Sequence, residues 1–433
     1  MSLNFRRFLF VLFVIIFAVA GTIIIYYTKG YRVDFSNFSI VKTGGVYIES
    51  NVAGFQIDLG KNVYNDQSGL FKKSTLISGI LPKKYILTIK KDGYNDYEKN
   101  IEVLPSQVFR LFNVLLVPKT ITPYFSATNI LGDSIVDTSG SKIITFDKEK
   151  NIYYLYDFSS MSATSSSPIN ITSKISPIIK QKIVSVWFNP QKDNTFIVQT
   201  AKGLYQIDLT AKIASPIQIG KIDSVSIQNN NLYALLENPI PKKSLNTTSS
   251  PPSKIITYDL SLNSKVLEFN LPYGASSIVK FAPINNVVIL LLSDGALYAY
   301  DFSGNQLYQI AHSAKMFSVS DDKNKIFFQD KDGKSFVYTF DDEKQFLDAS
   351  QNISIGLKLI DTLNIDQVWW YPDSFHLILE YPNKITVAEV TQKNPNENFT
   401  LVNSFDEAFY SSTNKILYTI KSGTLNFWDI SKI

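Results

Sequence analysis

Four aspartates, Asp133, Asp223, Asp366 and Asp406, each stand two residues before an apolar residue (Ile135, Val225, Val368 and Ala408) inside a strand-like run. Carboxylates repeated at one position of a repeating unit can line an opening, where converging like charges demand a counter-charge from a cation or a basic partner. The competing role is local: an aspartate entering a strand accepts hydrogen bonds from the adjacent turn. A third use is catalysis by a glycosidase or lyase, which requires two of these carboxylates at a working separation with their pKa values split apart.

Other chemistries find little to work with. The chain has no cysteine and only two histidines, His312 and His376, so thiolate sites, disulfides and histidine-rich metal centres are excluded. No Gly-x-Ser-x-Gly elbow, Gly-rich phosphate loop or His-Glu-x-x-His pair occurs. No catalytic residue, metal or cofactor is therefore expected. His376 lies in an apolar strand and reads as a packed or hydrogen-bonded imidazole. Asp330-Lys331-Asp332-Gly333 begins like a calcium loop, but Phe336 to Phe340 follow where later acidic ligands belong, so a hairpin turn is expected. Trp187, Trp369 and Trp370 could stack on sugar rings, although such residues more often pack inside folds.

The elements that position these residues are mainly strands. With 30 Phe and 24 Tyr among 433 residues and 45% apolar content, the composition favours pleated surfaces and buried cores. A net charge of +4 with Lys and Asp interspersed presents no basic face, so nucleic acid is not an expected partner.

Phe8 to Tyr27 is a run of twenty residues without a charge, long enough to span a bilayer as one helix. Arg6 and Arg7 precede it, and Tyr26 and Tyr27 suit the far headgroup belt, giving a cytoplasmic N-terminus and an extracytoplasmic body. A cleaved signal peptide ending at Ala18-Val19-Ala20 is the rival reading; the apolar run beyond that site favours an uncut signal anchor. The organisation expected is a cytoplasmic stretch 1–7, a transmembrane helix 8–27, a juxtamembrane segment 28–44, a small β-domain 45–118 and a repeat domain 124–433.

In the small domain, alternating runs at Gly45–Ser50, Gly54–Gly60, Leu81–Tyr94 and Tyr97–Val103 predict a β-sandwich. Leu81-Pro82 with Tyr85, the Gly93-Tyr94 turn and the closing Ile101-Glu102-Val103 resemble a PEGA domain over Val46 to Pro118, with Lys83 where the family usually has glycine and Ser50-Asn51-Val52 in place of serine-x-proline. The resemblance implies a binding or spacing module of a prokaryotic cell envelope. The pairs Lys72-Lys73, Lys83-Lys84 and Lys90-Lys91 could meet anionic headgroups or wall polymers, or simply solubilise strand edges.

From residue 124 a motif recurs at strand ends: Tyr156-Asp157-Phe158, Ile207-Asp208-Leu209, Tyr258-Asp259-Leu260, Tyr300-Asp301-Phe302 and Trp428-Asp429-Ile430, with partial copies Tyr338-Thr339-Phe340 and Ala388-Glu389-Val390. The intervals of 51, 51, 42, 38, 50 and 40 residues suit propeller blades of four strands. Loops within Ser159–Ser167 and Asn238–Ser253 explain the longer ones, and Val186–Pro190, Val279–Pro283 and Val368–Pro372 read as innermost strands. The pattern resembles WD-repeat β-propellers. Seven blades is the count, with six, eight or a β-sandwich array as alternatives. The fold expected is thus all-β, a small PEGA-like β-sandwich plus a seven-bladed propeller behind one N-terminal transmembrane helix.

These readings describe a membrane-anchored, non-enzymatic binding or scaffolding protein of the cell envelope, with an envelope protein or wall polysaccharide as partner. A propeller-type carbohydrate-active enzyme and a purely structural wall element are the alternatives.

Overall fold

The uncharged residues Phe8–Tyr27, broken only by Gly21 and Thr22, lie in a helix of 26 residues, α1 (Leu3–Thr28). It starts ahead of the apolar run and takes in Arg6 and Arg7. By length and composition it could cross a membrane, a test that a signal sequence near an N-terminus also passes. The computed structural model describes residues 3–35, 38–67, 73–159, 167–228, 231–237, 253–262, 264–274, 277–284, 287–339, 356–357, 365–390 and 399–433. Lys72, Phe340 and most of the expected loops 159–167 and 238–253 lie outside them. The chain divides into two units, residues 1–121 with Ile433, and 122–432.

In the first unit, the segment expected only as a connection forms a two-stranded ribbon, Tyr31–Asp34 against Ser39–Lys42. A β-sandwich follows. One sheet places Gly44–Ser50 between Ser74–Ile80 and, in parallel, Val108–Val114; the other runs Asn62–Asn65, Gln56–Leu59, Lys84–Lys90, Tyr97–Glu102, all antiparallel. Strand alternation sends Val46, Ile48, Ile57, Leu59, Leu87 and Ile89 into a common core, each at most 1% exposed. Tyr85 donates its hydroxyl back to the Leu81 carbonyl at 2.9 Å, and Gly93 turns the chain with φ 83°, so the residues at Leu81-Pro82, Tyr85 and Gly93-Tyr94 build the strand and turn expected of them.

In the second unit, seven four-stranded antiparallel sheets succeed one another. The strands of blades 1 to 6 begin and end at residues 134 and 170, 183 and 219, 222 and 270, 278 and 311, 314 and 357, and 367 and 403. Blade 7 takes Glu407–Ser411, Ile416–Lys421 and Thr424–Asp429 from the C-terminal end, and Phe125–Ala127 from the other end of the unit completes it. First strands lie beside one another, 134–139 next to both 183–188 and 407–411 and 314–319 next to 367–370, which places first strands innermost and closes the ring. Apolar clusters fill the gaps between blades, such as Ile143, Tyr156, Phe427 and Leu425 between blades 1 and 7.

All seven sequence motifs fall at the ends of third strands. Their chemistry is local. Asp157, Asp208, Asp259, Asp301 and Asp429 each accept a backbone N–H two residues on, at 2.7 to 3.1 Å. The Ser159 and Ser261 hydroxyls, donating to Asp157 and Asp259, hold these carboxyls below the usual carboxylate range. The apolar residue that follows plugs the core, with Phe158, Leu260 and Ile430 no more than 2% exposed.

One element departs from the all-β reading. Between blades 1 and 2 the chain makes a short helix, α2 (Ile171–Ile179), whose Ile171, Ile175 and Ile179 recur on one buried face. Asn170 caps it by accepting the Ser173 N–H at 2.8 Å, and Lys180 ends it in the left-handed region at φ 51°.

Candidate functional site

The four aspartates occupy one structural position. Each immediately precedes the inner-strand residue that pairs with the fifth residue of its blade's second strand: Ser134 with Phe146, Ser224 with Leu235, Gln367 with Glu380, Glu407 with Ile420. Val184, Val279 and Lys315 hold this place in blades 2, 4 and 5. The register reading from sequence therefore matches the strand pairing.

Equivalence does not bring the four side chains to one point. Asp406 Oδ2 accepts the Ser422 N–H at 2.6 Å, and Asp133 Oδ1 accepts that of Lys148 at 3.4 Å, so both bond the turn after the second strand. Asp133 Oδ2 also lies 4.0 Å from the Lys148 ammonium. Asp223, on blade 3, pairs with its own neighbour Lys221 at 3.7 Å. For Asp133 and Asp406 the turn-bonding role is the one realised. Among the described residues, no group of three acidic, histidine or cysteine side chains is arranged to hold a metal ion.

Two glutamates missed in the sequence complete a different cluster. Glu380, the fifth residue of the second strand of blade 6, is 9% exposed, and its Oε2 has no hydrogen-bond partner. Burial pushes its carboxyl up to about 7, with further repulsion from Glu407 and Asp366. Glu407, on the inner strand of blade 7, is likewise raised by burial; Lys148 draws it down, while Asp133 pushes it up. Repulsion thus links Asp366, Glu380, Glu407 and Asp133 across blades 6, 7 and 1, with Lys148 as a nearby cation, and Asp223 stands apart. The sequence signal for Glu380 was one carboxylate within the otherwise apolar His376–Tyr381, and for Glu407 its place directly after Asp406.

The other candidates resolve into structure. His376 is 3% exposed and its Nδ1 lies 2.7 Å from Asp373 Oδ2 in the preceding turn. His312 meets Gln309 Nε2 at 3.0 Å on the surface. In the hairpin at Asp330, the Gly333 N–H reaches the Asp330 carbonyl at 3.1 Å. Trp370 donates from blade 6 to the Ser318 carbonyl of blade 5 at 3.1 Å, Trp369 meets Tyr410 of blade 7, and Trp187 packs between blades 2 and 3, so these rings join blades. In the first unit Lys90 is neutralised by Asp58 at 2.8 Å, and Lys73 and Lys91 bond the carbonyls of Asn51 and Ala53. Lys90 and Lys91 also border an open polar depression of ≈ 550 Å³ with Asp66, Asp92, Asp96 and Lys119.

No family model matches the sequence, and no curated protein does. Among solved structures, a chain described as "Crystal Structure of Mitotic Checkpoint Complex" aligns at 13% identity and a TM-score of 0.45, covering 72% of this chain and 96% of that one.

Proposed function

We propose that this chain is a membrane-anchored, extracytoplasmic, non-enzymatic binding scaffold of a cell envelope, with a PEGA-like sandwich as spacer and a propeller that receives a basic segment of a partner protein at the acidic cluster of blades 6, 7 and 1. The observation that carries the binding site is the Glu380 carboxyl, nine-tenths buried, with one oxygen unpartnered and two further carboxylates raising its pKa. An ammonium or guanidinium entering there supplies the missing partner and the missing charge together. Support for the anchor is the helix itself, whose apolar span is not buried inside the protein.

The binding test uses the full chain in detergent and a fluorescein-labelled oligolysine peptide, read by anisotropy on either side of pH about 7. Binding that tightens as the pH rises past Glu380's titration, and that Glu380→Gln and Asp366→Asn both weaken, supports the site. Binding unchanged by either substitution overturns it. The anchor is tested separately by proteolysis of intact cells, or of spheroplasts, carrying a tag after Ile433. Loss of the tag with a cytosolic control intact supports an outside body, and a tag lost only on lysis reverses the topology.

A further inference from the structure

Directly after α1, the ribbon Tyr31–Asp34/Ser39–Lys42 exposes apolar surface that no part of the described chain covers: Val33 is 48% exposed, Phe35 77%, Phe38 89% and Ile40 70%. Directly opposed residues of an antiparallel pair project to the same side. Tyr31 with Lys42, and Val33 with Ile40, therefore form one face, while Arg32, Asp34, Ser39 and Val41 form the other. A two-stranded ribbon has little stability of its own in water. One with four large apolar side chains displayed has a further reason to seek cover.

The ribbon's base is firmly tied to the end of the helix. The Tyr31 ring, on the apolar face, meets Tyr26 of α1 edge-on with centroids 5.4 Å apart. Arg32 lies over the Tyr27 ring at 3.5 Å and donates to the Tyr27 carbonyl at 2.8 Å. Thr43 closes the ribbon by giving both its N–H and its hydroxyl to the Gly30 carbonyl, each at 2.8 Å. Gly44 then passes so close to the sandwich that an added Cβ would fall 2.5 Å from the Leu104 carbonyl oxygen. At the tip Phe38 sits at φ 45°, a conformation that few bulky residues adopt.

We infer that this ribbon is a second membrane contact, lying in the boundary between lipid headgroups and acyl chains with Val33, Phe35, Phe38 and Ile40 against lipid. The apolar face is continuous, through Tyr31 and Tyr26, with the surface of a helix whose own exposed side chains require the same solvent. Lys29, Arg32 and Lys42 lie at its base, where ammonium and guanidinium groups meet phosphate. The ribbon fixes how the chain leaves the bilayer, which a single helix followed by a free linker does not. This inference rests on the anchor reading.

The absence of cysteine makes the test direct. Single cysteines at Val33, Phe38, Ser39 and, within α1, Ile16 are labelled with a nitrobenzoxadiazole fluorophore in the full chain, reconstituted into phosphatidylcholine–phosphatidylglycerol vesicles. The expected result is loss of most of the emission at positions 33 and 38 to lipids bearing a nitroxide near the headgroup, with position 39 quenched by aqueous iodide instead. Lipid quenching at position 16 with iodide quenching at 33 and 38 overturns the ribbon contact and leaves the anchor standing. No quenching at position 16 by lipids bearing the nitroxide deep on the acyl chain removes the anchor and the ribbon contact together. Protection of 33 and 38 from both quenchers overturns the inference in favour of a protein partner such as a second copy.

Discussion

Asp137, on the inner strand of blade 1, accepts the backbone N–H of Phe188, on the inner strand of blade 2, at 2.8 Å through Oδ2, while Oδ1 accepts the N–H of Thr138 at the same distance. One carboxylate thereby fastens two blades at the centre of the ring. Burial pushes its carboxyl up to about 6 despite both donors.

Asp137→Ala leaves two amides without an acceptor and is expected to lower stability by about 1–3 kcal/mol for each amide that stays buried. The pH dependence has a definite sign. A carboxyl whose folded pKa is raised from 3.8 to about 6 contributes most below 3.8, and that contribution declines as the pH rises through 6. Denaturation of the two proteins across this range should show a gap that narrows with rising pH; a constant gap would refute the titration.

Closure of the ring depends on a strand drawn from the far end of its own unit. Phe427, 1% exposed, meets Phe125 of that strand at 5.0 Å, Phe158 of blade 1 at 5.3 Å and Tyr418 of blade 7 at 5.2 Å between ring centroids. Phe427→Ala should cost about 3–5 kcal/mol, the range for deleting a buried aromatic, and should also free the strand 125–127. Hydrogen exchange checks both together: amides of 125–127 should lose protection along with the global drop. Protection unchanged there would show that the closing strand does not depend on this contact.

The helix α2 offers a paired test at its two ends. Asn170→Ala removes the cap that accepts the Ser173 N–H and should cost about 1 kcal/mol. Lys180→Gly relieves a left-handed backbone at φ 51° and should stabilise by up to about 1 kcal/mol. Opposite shifts in melting temperature are expected; shifts of one sign would mean that the helix ends do not control it.

The third-strand ends were legible in the sequence because five of the seven use one local device, an aspartate that bonds a turn two residues on, followed by an apolar residue. That device repeats whatever the loops do. The register of Asp133, Asp223, Asp366 and Asp406 was legible for the same reason, since pairing with a neighbouring strand follows the pleat. What their side chains do was not. Asp133 and Asp406 are used by turns, and Glu380 is repelled by Glu407, on the next blade and 27 positions along, a relationship that the packing of one blade on another makes. Only nine residues long, α2 showed just three isoleucines of helical period behind a serine-rich stretch, too little to stand out from strands. The ribbon at 31–42 was hidden because its apolar residues face no core, and a pattern read for burial assigns them no place.

The acidic cluster predicts a stability change opposite to ordinary acid denaturation. Glu380 titrates near 4.5 when unfolded and at about 7 when folded, so across that interval the folded protein holds more protons and stability falls as the pH rises. Glu407, raised in the same direction, adds to the slope. Glu380→Gln keeps the shape and removes the ionisation. It should flatten the fall in melting temperature between pH 4.5 and 7 and leave the variant at least as stable as the parent above pH 7. A basic ligand bound at the cluster should flatten the parent's slope as well, because the incoming cation stabilises the ionised form that burial disfavours. Oligolysine that stabilises the parent above pH 7 and leaves Glu380→Gln unmoved would tie the titration and the binding to the same carboxyl. Equal stabilisation of both proteins would place the peptide elsewhere on the surface.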